Sequence, residues 1–122
     1  MGFCWVTINV KSMEESLRFY QDVLGLKLNR RMHPMPETEI AFLGLGGTEV
    51  ELIQNMDKSD FSYGKDISMG FTVESVDKTM EFLMNKGIKS IAGPYQPNPM
   101  LKFIYIDDPN GVKIQLVENI HR

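Results

Sequence analysis

The chain has 122 residues, with 13 Lys or Arg against 16 Asp or Glu, two His, one Cys and a formal net charge of −3. That length suits a single domain able to bury about two thirds of its unfolded surface, and one cysteine excludes an intrachain disulfide. The basic residues are scattered, Arg30-Arg31 being the densest pair, which argues against a nucleic-acid partner, and no apolar run approaches the ~20 residues of a membrane span.

At the N-terminus, Met1-Gly2-Phe3-Cys4-Trp5-Val6 lacks the basic flank and cleavable apolar stretch of a signal peptide, so a cytoplasmic location and no membrane partner are expected. Residues 3–10, rich in β-branched and aromatic side chains, predict a first strand. Ser12-Met13-Glu14-Glu15 has the form of a capping box. Leu17, Tyr20 and Leu24 then recur at helical spacing, Phe19 and Val23 widen the stripe, and Gly25 is placed to stop the helix. Strands follow at 27–33, 38–44 and 48–55, with Gly44-Leu45-Gly46-Gly47 as a hairpin turn. Residues 56–65 are polar and read as a connector. A strand at 67–74 leads to Ser75 as a second cap, a stripe of Val76, Met80 and Leu83, and Gly87 as a stop. A strand is expected at 88–92, and Pro94, Pro97 and Pro99 make 93–100 a loop or a bulged edge. Strands at 101–107 and 112–118 flank Asp107-Asp108-Pro109-Asn110-Gly111, whose Pro and Gly fit turn positions. The nine methionines are expected chiefly to fill core.

The order repeats. Val10 to Phe19 lies over Val73 to Phe82, 63 residues on, and Gly47 to Asn55 lies over Gly111 to Asn119, 64 residues on. The expected architecture is therefore α+β, a tandem βαβββ repeat in one domain spanning 1–122, with repeat 1 at about 1–58 and repeat 2 at about 64–120. A helix on one face of each half leaves the other face free, and curved half-sheets are expected to form a cleft with the helices outside.

Ser16-Leu17-Arg18-Phe19-Tyr20-Gln21-Asp22-Val23-Leu24-Gly25-Leu26 resembles the S-x-x-F-Y-x-x-x-L-G-L/F signature of the vicinal oxygen chelate superfamily, which covers glyoxalase I, bleomycin and fosfomycin resistance proteins and extradiol dioxygenases. Asp108-Pro109-Asn110-Gly111 with Ile114 and Leu116 is similar to that family's D-P-D/N-G ending. The resemblance implies the duplicated fold and a homodimer, the cleft lying within one chain or shared between two. It also implies four metal-ligand positions, one on the first and one on the last strand of each half. Those positions fall on Trp5, Glu51, Ser68 and Gln115, where a glyoxalase I has His, Glu, His and Glu. An indole N–H only donates, and Ser and Gln offer neutral oxygens that compete poorly for a transition ion. No metal and no cofactor are therefore expected. A one-residue slip of the first strand would turn Cys4 inward in place of Trp5.

Glu51 reads either as a buried carboxylate facing the cleft, suited to a general base or to anchoring a cationic ligand, or as a relic held by hydrogen bonds. Trp5 would stack on an aromatic or cationic ligand or plug the old metal cavity. Tyr95, Met100, Phe103 and Tyr105 are candidates to line the pocket of the second half. Arg30 and Arg31 alternate faces, so one could grip an anion while the other meets solvent. Cys4 reads as a small packed residue, His33 as a rim histidine before Pro34, and His121 as part of a solvated terminus. There is no phosphate-cradling loop, nucleophile elbow or His-x-x-x-His helix. Two functions follow. The first is a module that binds a small organic molecule without metal through Trp5, Glu51, Ser68, Gln115, Tyr95, Phe103 and Tyr105. The second is a lyase or isomerase resembling glyoxalase I, metal-dependent or using Glu51 alone as base.

Overall fold

The computed structural model describes residues 1–119; His121 lies outside them. The chain divides into two compact units, Met1–Ser62 and a second beginning at Tyr63. Each unit carries out the same plan. The first runs β1 (Trp5–Asn9), α1 (Met13–Arg18), β2 (Lys27–Met35), β3 (Thr38–Gly44) and β4 (Glu49–Asn55). The second runs β5 (Ser68–Thr72), α2 (Val76–Asn85), β6 (Ala92–Asn98), β7 (Leu101–Asp107) and β8 (Lys113–Asn119). Each forms a four-stranded mixed sheet, ordered β1-β4-β3-β2 and β5-β8-β7-β6, so the first strand lies parallel beside the last. This is the expected α+β fold of tandem βαβββ repeats.

Both helices begin as the sequence predicts. Ser12 and Ser75 are extended, and their hydroxyls accept from the backbone N–H of Glu15 and Lys78. A second tie is repeated as well. Gln54 Oε1 on β4 accepts from the Met13 N–H, and Glu118 Oε1 on β8 accepts from the Val76 N–H. A side chain of the last strand thus satisfies an orphan donor in the first turn of each helix.

The first helix departs from the expected α-helix. After Arg18 it widens into a π-helical turn over Phe19–Val23, with Leu24 N–H donating to the Phe19 carbonyl, and Gly25 ends it at φ 72°. The wider turn lets two consecutive residues point inward. Phe19 and Tyr20 are both buried, their rings edge to face at 5.2 Å. The core of the first unit collects Ile8, Val10, Met13, Leu17, Tyr20 and Leu52; that of the second collects Val76, Leu83, Ile104, Ile106, Ile114 and Leu116.

Two predicted boundaries need correction. The strand expected at 88–92 is not there: these residues are irregular up to Ile91, and β6 starts at Ala92. Of the two readings of 93–100, the bulged edge is correct. β6 pairs with β7 alone, with register shifts on either side of Tyr95, so Pro94 and Pro97 sit on an edge strand that tolerates missing donors. The Asp107–Gly111 turn forms as read. Asp108 is buried, and its Oδ1 accepts from the N–H groups of Asn110 and Val112. Among the described residues, no helix is long and apolar enough to cross a membrane.

Candidate functional site

Strand pairing decides which side chains share the sheet face away from each helix. In the first unit Trp5 stands beside Glu49, Thr7 beside Glu51, Glu51 beside Phe42 and Phe42 beside Arg30. These residues form one patch. Trp5 meets Phe42 edge to face at 5.0 Å, and the Arg30 guanidinium lies 4.0 Å from the centre of the Phe42 ring. Glu49 grips Arg30 through two hydrogen bonds of 3.1 Å and takes a third, of 3.0 Å, from the Asn29 amide. The amide of Asn29 and the guanidinium of Arg30 together hold the Glu49 carboxyl below the usual carboxylate range. Glu51 is 8% exposed and accepts a 2.5 Å hydrogen bond from the Thr7 hydroxyl, so its charge is desolvated with one oxygen engaged. The structure takes the Trp5 register. Cys4 is not the packed residue expected: it is exposed ahead of β1, and its carbonyl accepts from the Glu49 N–H.

Arg30 and Arg31 do alternate. Arg30 is on the patch just described. Arg31 turns to the helix side, where it pairs with Glu39 and, at 2.6 Å, with Glu14 of α1. Those carboxylates push its pKa above an already high value. His33 is exposed, with Nε2 3.8 Å from Glu39 Oε2, as a rim histidine should be.

The corresponding face of the second unit has the same register and different chemistry. Ser68 stands beside Lys113, Gly70 beside Gln115, and Gln115 beside Tyr105. Gln115 donates to the Tyr105 hydroxyl at 3.4 Å. Where Thr7 engages Glu51, Gly70 has no side chain, and a Cβ added there would come within 3.5 Å of Gln115 Oε1. Tyr105, Phe103 and Tyr95 form an aromatic cluster, with ring centres 5.6 to 6.2 Å apart. Beside them a groove of about 500 Å³ is lined by Pro94, Tyr95, Gln96, Pro97, Phe103 and Tyr105. Gly93 makes room for the Tyr95 wall. At φ 106° it lets the Tyr95 ring lie where a Cβ would be 2.9 Å away. Met100 is exposed in the turn between β6 and β7, outside this lining.

Each unit thus brings its two implied ligand positions to one face, Trp5 with Glu51 and Ser68 with Gln115. Their chemistry does not fit a divalent ion. The Trp5 indole has no lone pair to give, Gln115 and Ser68 are neutral, and Glu51 is the single carboxylate of the four. Among the described residues, no group of three or more His, Cys, Asp or Glu is arranged to hold a metal. Sequence reasoning missed Thr7 on Glu51 and Glu49 on Arg30, and it offered Arg30 as a grip for an anion without its contact with Phe42. Strand parity places Thr7 on the face of Trp5, two residues on. The Arg30 contacts depend on pairing across β2, β3 and β4, which no local pattern encodes.

Comparison with known proteins agrees with this fold. The family model described as Glyoxalase/Bleomycin resistance protein/Dioxygenase superfamily matches residues 2–116. A Synechocystis sp. protein named "Probable lactoylglutathione lyase" is 33% identical over 123 residues, covering 91% of this chain and 90% of the relative. The "Lactoylglutathione lyase" of Haemophilus influenzae is 30% identical, covering 92% and 88%. A glyoxalase family protein from Bacillus cereus shares the fold, with a TM-score of 0.84 at 21% identity over 99% of this chain and 95% of that one.

Proposed function

The chain belongs to the Glyoxalase/Bleomycin resistance protein/Dioxygenase superfamily, and from that premise we propose that it binds a small organic molecule carrying an aromatic ring, without a catalytic metal. The donor set carries this reading: indole, carboxylate, hydroxyl and amide stand where a metal-dependent member needs imidazoles and carboxylates. The groove beside Tyr95, Phe103 and Tyr105 supports it with an apolar, partly preformed surface of suitable size. Binding then rests on burial of the ring and on a few oriented polar groups. Elemental analysis of protein purified without a metal-affinity tag tests the metal-free part; stoichiometric Ni, Zn, Fe or Mn would reverse it. Calorimetric titration with neutral and charged aromatic compounds tests the binding part, and an absence of heat across the set would end it.

The relatives' names favour a second reading, turnover of lactoylglutathione with Glu51 as the lone base. The seat of Glu51 in the first unit, 8% exposed and bonded to Thr7, gives it a specific candidate. An enolate formed there would lack the electrophile that usually supplies the largest stabilisation, which is why this reading ranks second. A lactoylglutathione assay on the metal-free protein decides it: turnover abolished by Glu51→Gln supports it, and no turnover removes it. The homodimer implied by the family resemblance belongs to the same proposal. A sedimenting mass of twice 14.0 kDa supports it, and a monomer refutes it.

A further inference from the structure

Tyr95 and Tyr105 also wall a second groove, of about 530 Å³. Its remaining lining is more polar and carries charge. Lys89 and Ser90 come from the irregular segment after α2, Asp107 from the end of β7 and Lys113 from the start of β8. Lys113 Nζ is 5.3 Å from the centre of the Tyr105 ring, so a cation stands beside an aromatic surface that a stacked ligand would share. Two ammonium groups against one carboxylate leave the groove with an excess of one positive charge. The neighbouring positions on that sheet face, Ser68, Gly70, Phe103 and Gln115, add no charge.

Resting on the small-molecule reading above, we propose that the ligand is a planar aromatic anion. Its ring would lie against Tyr95 and Tyr105, and its carboxylate, sulfonate or phosphate would point toward Lys89 and Lys113. The first unit offers the contrast that makes the choice of sign meaningful. Its aromatic-face cation, Arg30, is already engaged by Glu49 and Phe42, whereas Lys89 and Lys113 border a groove. A cationic ligand would also find aromatic faces to stack on, but it would meet two like charges.

The test is calorimetric titration of the full chain at low salt with three compounds of one shape: 2-naphthoate, neutral 2-naphthalenemethanol and 2-naphthylmethylammonium. Naphthoate should bind roughly fivefold more tightly than the alcohol, the scale expected of exposed charges, and the ammonium compound should bind most weakly. Raising the salt to about 0.5 M should erase most of the difference, because these charges are open to screening. The double variant Lys89→Gln, Lys113→Gln should lose the naphthoate advantage and keep the alcohol affinity, and Asp107→Asn should increase the advantage. If the ammonium compound binds as tightly as naphthoate, or the preference survives the double substitution, the charge assignment is wrong and the small-molecule reading stands. If none of the three binds, both readings fall.

Discussion

The two units share a register and differ in what fills the sheet face away from the helix. In the first, Phe42 is capped by Trp5 and Arg30, Arg30 is clamped by Glu49, and Thr7 closes on Glu51. Phe42 and Glu51 are buried as a result. In the second, the matching Tyr105 and Gln115 are half-exposed, the place of Thr7 is taken by Gly70, and grooves open beside Tyr95. The first repeat engages most of its polar groups in internal contacts, with Trp5 still 40% exposed at its edge, while the second keeps a groove beside its aromatic cluster. Duplication therefore preserved the scaffold and let the faces diverge, which is why the proposal above places the ligand in the second unit.

The largest expected effect tests the shared scaffold. Leu52 and Leu116 occupy equivalent central positions on β4 and β8 and are both buried against the helix side. Leu52→Ala and Leu116→Ala should each cost about 2–5 kcal/mol, the range for deleting a packed leucine side chain, measured by urea unfolding. A loss under about 1 kcal/mol for either one would mean that the two cores are not built alike.

Next in size is the divergence at the Thr7 and Gly70 positions. Thr7→Val keeps the shape and removes the hydroxyl from a largely desolvated carboxylate, so it should cost about 1–3 kcal/mol. Gly70→Ala has the opposite sign. The new Cβ meets Gln115 Oε1 at an ordinary 3.5 Å, and removing a strand glycine should stabilise the chain by about 0.5–1 kcal/mol. Equal signs for the two changes would break the contrast between a closed and an open face.

The architecture was legible in the chain because repetition is a global signal. The 63- and 64-residue offsets carry strand, cap and helix together, and both serine caps and the Asp108 turn form where expected. Two features were hidden for local reasons. Three prolines read as breakers, yet an edge strand leaves some of its donors unpaired anyway, so β6 forms through Pro94 and Pro97. The π-helical turn at Phe19 was hidden because a wide apolar stripe holding both Phe19 and Tyr20 reads equally well as an ordinary α-helix. The candidate site was half legible. Alignment to the family signature put Trp5, Glu51, Ser68 and Gln115 on strands whose register confirms a common face within each unit. What those residues do depends on Thr7, Arg30, Glu49 and Gly93, whose contacts follow from three-dimensional pairing or backbone geometry.

The smallest effect probes the clamp that closes the first face. Asn29 and Arg30 both bond the ionised form of Glu49 and hold its pKa below the usual value. A carboxyl depressed in the folded chain contributes stability that is fully present above its unfolded pKa, about 4.3, and is lost as pH falls through the lower folded value. Arg30 should therefore stay over Phe42 from neutral pH down to about pH 4.3 and be released in stronger acid. Trp5 is the chain's one tryptophan and touches the same Phe42 ring, so its fluorescence reports the event without a label. Emission should hold steady from pH 7 to about pH 4.3 and shift below it. Glu49→Gln should show the acid spectrum at neutral pH and lose the step, with little change in overall stability because the Arg30 end of the pair is open to solvent. A step that persists in Glu49→Gln would mean that the Glu49–Arg30 clamp does not set the surroundings of Trp5.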